Sequence, residues 1–246
     1  MRTFFQIHLF KPLSEKSSVW VILLFLLLTL PFPEVFSQNF YQERTPRYES
    51  LAFGIGPSFI YADNGGQYSI YNFAWNPAFS LIYDKRLAEH ISFRASTGIQ
   101  WIESGGNPSP LLIDYWLDNN QAVSFRGAAY YVNFMPMFNL APVFHHMTRP
   151  DFNLYLGLGF GALLAVTQQK FSFEESAPSK SSDTLTPTLP MMGGISYTLN
   201  EFWDLALEGG FIFTFSDKID GNTITQPRND HLAQAQFVIR KYINRK

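Results

Sequence analysis

Residues 203–215, WDLALEGGFIFTF, constrain the fold more than any other stretch of this chain. At a period of two, one face carries Trp203, Leu205, Leu207, Phe211, Phe213 and Phe215, and the other carries Asp204, Ala206, Glu208, Gly210 and Thr214. A strand with large apolar groups on one side and carboxylates on the other is half-buried in a soluble core, or it separates lipid from water. The pattern recurs. Eight candidate strands cover approximately 51–61, 73–84, 90–101, 125–138, 152–166, 185–198, 203–215 and 232–243. The third sets Ile91, Phe93, Ala95, Thr97, Ile99 and Trp101 against Ser92, Arg94, Ser96, Gly98 and Gln100. The fifth sets Leu154, Leu156, Leu158, Phe160, Leu164 and Val166 against Tyr155, Gly157, Gly159 and Gly161. The eighth sets Ala233, Ala235, Phe237 and Ile239 against Gln234, Gln236 and Arg240. Each is near or above the about 9–11 residues that a tilted strand needs to cross hydrocarbon.

The front of the chain chooses between lipid and soluble core. Arg2, Lys11 and Lys16 precede the apolar run VWVILLFLLLTL at 19–30, Pro31 and Pro33 end it, and Val35-Phe36-Ser37 suits signal peptidase. The run is too short for a spanning helix, which needs about 20 residues. The reading is a signal peptide over 1–37, a periplasmic segment over 38–50 and a barrel over 51–246. No cysteine follows, so lipoprotein processing is excluded and no disulfide supports the exported domain.

Charged residues are 15% of the chain and aromatic residues 17%, against about 25% charged in an ordinary soluble domain. Yet no apolar run after the front is long enough for a helix to span, and overall hydropathy is close to zero. A barrel has that balance, because half of each strand faces a polar lumen. The net charge of −2 does not suggest nucleic acid as a partner.

The links between strands alternate in length. Those at 84–90 and 198–202 are short and that at 141–151 is medium, whereas those near 62–72, 102–124, 167–184 and 216–231 are long and polar. A barrel with both termini in the periplasm has short turns there and long loops outside. The fold expected is therefore all-β, an eight-stranded antiparallel up-and-down transmembrane β-barrel in the bacterial outer membrane. In lipid every backbone N–H and C=O must be paired, so the sheet closes and leaves no edge. Tyr61, Tyr83, Trp101, Tyr197 and Trp203, near strand ends, would form the interfacial girdles. A soluble sandwich or lipocalin-like barrel would instead turn Leu156, Phe211 and Phe213 inward and expose Glu208 and Arg94.

Eight strands leave an interior that side chains fill. Arg94, Asp204, Glu208 and Arg240 all point inward near the periplasmic end, with Asp204 close to Arg240 if strands seven and eight pair at Trp203 and Tyr242. Such a cluster either carries protons or ions or, as a small barrel requires, pairs its buried charges as a plug; the plug is preferred. Glu103 and Arg126 flank the second long loop and would pin its base.

Several look-alikes carry no chemistry. GLGFG at 157–161 brings its third glycine one residue too early for a dinucleotide turn, and its glycines share a lumen face. His145-His146 point opposite ways on an extended chain and are not expected to hold zinc. An acyl-transfer site would need His231 with Ser216, Asp217 and Asp230 across the last loop, a loose constellation. No cofactor or metal is expected, and no enzyme.

The loop IESGGNPSPLLIDYWLDNNQ at 102–121 is the candidate functional surface. Leu112, Ile113, Tyr115 and Trp116, with Leu111 and Leu117, are too apolar for a loop that meets only water. They would fold over the barrel mouth, dock a partner protein or lie on lipid. The segment EESAPSKSSDTLTP at 174–187 reads as a solvated tip.

The S-Q at the signal's end, the opening ESLAFGIGPSFIYAD and the central FRGAAYYVNFMPMFNLAP resemble the PorT-like outer-membrane β-barrel families. The resemblance covers nearly all of the chain after the signal and implies an integral barrel. Some members are associated with protein-secretion machinery, and no functional residue carries over. The expectation is an outer-membrane barrel with a structural or protein-interaction role, accessory to secretion or envelope maintenance, with lipid and an envelope or secretion-machinery protein as partners. A narrow channel for small solutes is the alternative, and an outer-leaflet lipid-modifying enzyme a more distant one.

Overall fold

The computed structural model describes residues 48–65, 73–105, 108–140, 151–172, 179–222 and 229–243. The expected signal, the segment 38–47 and His145-His146 lie outside them. Among the described residues, nine strand segments and one helix follow one another: β1 Glu49–Tyr61, β2 Asn76–Arg86, β3 Ile91–Glu103, α1 Pro110–Asp118, β4 Ser124–Asn139, β5 Phe152–Leu158, β6 Phe160–Lys170, β7 Lys180–Thr198, β8 Trp203–Thr214 and β9 His231–Ile243.

β5 and β6 are one stave. β4 pairs Met137 with Gly157 on one segment and Phe134 with Phe160 on the other, and β7 pairs Leu158 with Met191 and Gly161 with Thr188, so the register runs unbroken through Gly159. Eight staves then close antiparallel, each neighbour in sequence being a neighbour in space, and β1 pairs with β9 from Glu49–Ile243 to Tyr61–His231. This is an up-and-down barrel without a free edge, as hydrocarbon demands. Glu49 and Ile243 meet at the end that also carries the short turns, where Leu87 and Ala88 bond back to Ile91 and Leu199 and Asn200 bond back to Trp203. We call this the terminal end; the connections after β1, β3, β6 and β8 lie at the opposite, loop end.

The direction of the side chains separates the two readings of the alternation. Leu156 is 60% exposed and Phe211 48%, whereas Glu208 is 2% and Arg94 1% exposed. Polarity is therefore inverted relative to a soluble barrel. Apolar residues cover the outside of every stave, among them Phe53, Leu81, Phe134, Leu164, Ile195, Leu207 and Phe237. Aromatic pairs mark both rims. Phe59 meets Trp75 and Phe79 meets Trp101 toward the loop end, with centroids 5.2 and 5.7 Å apart, and Phe152 meets Tyr197 at 4.9 Å toward the terminal end.

Inside, glycine makes room for large neighbours. A Cβ on Gly157 would overlap Met137 Sδ, one on Gly159 would overlap the Phe134 carbonyl and Met135, and one on Gly161 would overlap Asn133 Oδ1. The glycines of GLGFG thus let the lumen side chains of β4 lie against the wall. Toward the loop end Ile60, Ile102, Phe125, Tyr131, Leu163, Ile212 and Leu232 pack together, and toward the terminal end Ile82, Met135, Met137, Tyr155, Met192 and Val238 do. Between them run Ser80 to Gln236 at 2.7 Å and Gln100 to Gln234 at 2.8 Å.

Two expected boundaries are corrected. The segment read as a solvated tip is strand from Lys180 onward, because Lys180–Thr188 finds a partner in β6, with Ser181 opposite Gln168 and Thr186 opposite Leu163. Backbone pairing with an existing edge outweighs the polar composition. β2 likewise runs through Asp84 to Arg86, so Asp84 is a lumen-lining strand residue and not part of a turn.

Candidate functional site: the charged lumen and the outer mouth

The inward charges meet at the terminal end of the lumen. Arg94 holds Asp84 in a two-pronged contact, Nε to Oδ1 at 2.7 Å and Nη2 to Oδ2 at 3.1 Å, and reaches Glu208 Oε2 with Nη1 at 2.9 Å. Arg240 lies 3.4 Å from both Asp84 Oδ2 and Glu208 Oε1. The Tyr155 hydroxyl donates to Glu208 Oε1 at 2.6 Å, and both guanidinium carbons sit 5.4 Å from its ring centroid. Two arginines, two carboxylates and a phenol thus neutralise one another, each carboxylate facing both cations, while Arg240 Nε lies within ion-pair distance of Asp84 without a hydrogen bond among the described residues. Asp204 pairs with Arg240 by register and accepts the Tyr242 hydroxyl at 2.6 Å.

Arg94, Glu208 and Arg240 are therefore brought together, with Asp204 alongside. Sequence reasoning missed Asp84, which it set at the junction of the second strand with its link and gave no role, and Tyr155, which it had on the lumen face without a role. Asp84 falls two residues beyond Ile82 on the same face of β2, and its place opposite Arg94 comes from the register with β3.

At the loop end the connection between β3 and β4 contains α1. Ser109 caps it, its hydroxyl accepting the Leu112 N–H, and Pro110 opens the first turn. Asn120, at φ 52°, ends it in the left-handed region that asparagine tolerates. A capped Ser-Pro start was legible but lay within what was read as an irregular apolar loop. Trp116 is buried at 1% exposure, so it anchors the helix and is withdrawn from the surface expected of it. Tyr115 is exposed and Leu112 and Ile113 half-buried, while Leu111 and Leu117, at 82% and 42%, carry most of the open apolar area. Glu103 and Arg126 stand directly opposite each other at the base.

The constellation around His231 does not assemble as a catalytic set. Its ring packs edge-on against Phe213, 5.3 Å between centroids, and among the described residues Nδ1 meets no hydrogen-bond partner. Among the described residues no three His, Asp or Glu side chains converge as metal ligands.

No protein-family model matches the sequence, and no characterised protein matches it in sequence. Solved structures do match in shape. Neisserial surface protein A superposes with a TM-score of 0.50 at 10% identity, over 79% of this chain and 97% of that one. A major outer membrane protein of Thermus thermophilus gives 0.49 at 10% identity, over 78% and 99%. The attachment invasion locus protein of Yersinia pestis gives 0.45 at 13%, over 80% and 99%. At such identities the first likeness speaks to the fold alone, and that fold is the small outer-membrane β-barrel.

Proposed function

We propose that this chain is an integral outer-membrane protein whose barrel is a closed platform for interaction at the outer surface. The inverted polarity supports residence in a membrane: an apolar exterior on every stave and ionised groups inside are stable only with lipid around the barrel. A cleaved signal ending near Ser37 brings the chain to the envelope, with the terminal end in the periplasm. The observation that carries the role is the occupancy of the lumen. Packed apolar side chains at both levels, with a paired charge network below them, leave the loops as the part able to act. α1, held by Trp116 and presenting Leu111, Tyr115 and Leu117, is the surface offered. Its partner is an envelope protein, and accessory work in secretion or envelope maintenance, as in PorT-like barrels, is the role this fits.

The test has two arms. In planar bilayers the purified protein should be electrically silent; steady single-channel steps would replace this reading with that of a narrow solute channel. In native envelopes a photo-reactive side chain at Tyr115 should give one defined protein adduct, lost in Leu111→Asp/Leu117→Asp. Adducts with lipid only would contradict the interaction role.

A further inference from the structure

Two aspartates lace the loop end together. Asp220, in the connection after β8, accepts the Asn64 N–H from the turn after β1 and the Asn222 N–H, each at 2.8 Å. Asp230, at the head of β9, accepts the Ile219 N–H through Oδ2 at 2.9 Å. Asn64 extends the link, its side chain donating to the Ala122 carbonyl at 3.0 Å and its own carbonyl accepting the Gly105 N–H at 3.1 Å. Asp220 thus joins the connections after β1 and β8, Asn64 carries the link on to the connection after β3, Asp230 ties Ile219 within its own connection, and Gly221, at φ 87°, makes the turn that brings Asn222 back.

This ground is too dry for so much negative charge. Asp220, Asn222 and Asp230 are each 0% exposed, and Asp63 adds a fourth buried side chain at 4%. Among the described residues, Asp230 Oδ1, both carboxylate oxygens of Asp217 and both amide atoms of Asn222 meet no hydrogen-bond partner. Among the described residues no three His, Asp or Glu side chains converge on an ion position, and a proton can be taken up by a single carboxyl. A protonated carboxyl loses its charge and turns an orphan oxygen into a donor. Burial, with the neighbouring carboxylates adding to it, pushes Asp217 up to about 6, and at Asp220 and Asp230 it outweighs the N–H donors that favour the charged form, pushing Asp220 up to about 7 and Asp230 well above the usual carboxylate range.

We propose that the outer mouth is a proton-operated clasp: with Asp220 and Asp230 neutral the three connections are held together across the barrel, and charging them loosens the hold. Carboxyls that titrate higher in the ordered loops than in free ones stabilise the ordered state at low pH, and that contribution is lost as pH rises through their folded values. The charged groups on the surrounding elements are Asp63 after β1, Glu103 closing β3, Asp114 and Asp118 on α1, Arg126 opening β4, Lys170 closing β6, Lys180 and Asp183 opening β7, Asp217 and Lys218 within the loop and His231 beginning β9. The three lysine side chains point to solvent. Arg228, in the same loop, lies outside the described residues. The clasp does not depend on what α1 binds.

The chain has no cysteine, so a single nitroxide at Lys218→Cys reports this loop alone, with Glu201→Cys in a terminal-end turn as control. In detergent or nanodiscs, taken from about pH 5 to about pH 9, the loop label should pass from immobilised to mobile with a midpoint near 7, while the control stays constant. Asp220→Asn/Asp230→Asn should keep it immobilised throughout. Each single variant should shift the midpoint, and a heat-dependent gel shift shows that every barrel is folded. A flat trace in the parent protein, or an unchanged midpoint in the folded double variant, would overturn the clasp. So would re-immobilisation at high pH by calcium and release by EDTA, which would make the cluster a metal site.

Discussion

Glu208 has more depending on it than any other single side chain in the lumen. It faces Arg94, Arg240 and the Tyr155 hydroxyl at once. Glu208→Ala should leave two buried cations with Asp84 alone and cost about 3–5 kcal/mol, read by urea unfolding in lipid. Glu208→Gln keeps the volume and one acceptor and should cost less. Equal stability for parent and Glu208→Ala would mean that the cluster is solvated. Three members of this network could be read from the sequence, because alternation places Arg94, Glu208 and Arg240 on inward faces. Asp84 was hidden by its position, four residues beyond Ser80 on the same face but next to Lys85 and Arg86, in what looks like a charged turn. Its place was set by register with β3, which alternation within one strand does not specify.

Strands were legible where one face meets lipid and the other does not, since a hydrophobic period of two needs nothing beyond the segment itself. Leu156→Arg or Phe211→Arg should cost about 2–4 kcal/mol near the bilayer midplane. At Gln236, facing the lumen, Arg should be limited by space and by charge pairing instead; equal costs at both sets would contradict the facing. Legibility failed at the elements built by partners. The start of β7 is polar, and only the presence of β6 beside it makes it strand. α1 carried its Ser-Pro cap openly, but whether its apolar groups pack or protrude depends on the mouth beneath. Trp116→Ala should free the helix and raise amide exchange across 110–118, while Leu111→Ala should leave exchange unchanged and act only on partner binding. Similar effects from both would argue that α1 is not anchored through Trp116.

At the scale of the whole molecule, closure follows from lipid. A sheet with apolar groups outside must pair all its backbone, and β1 with β9 completes the ring. The folded chain should therefore migrate differently on gels when unheated and when boiled, and should require detergent. The short links at 84–90 and 198–202 made the antiparallel order of neighbouring staves readable. The joining of the mouth was not, because Asn64, Asp220 and Asp230 come from connections far apart in sequence. The claim on which the rest stands is that odd-numbered residues of β8 face lipid and even-numbered ones face the lumen. Nitroxides placed one at a time along Trp203–Thr214, in reconstituted protein, test it through relaxation by dissolved oxygen, which concentrates in lipid. Oxygen should reach Leu205, Leu207 and Phe211 strongly and Asp204, Ala206, Glu208 and Ile212 weakly, in strict alternation. A flat profile, or one with the faces exchanged, would contradict the barrel described.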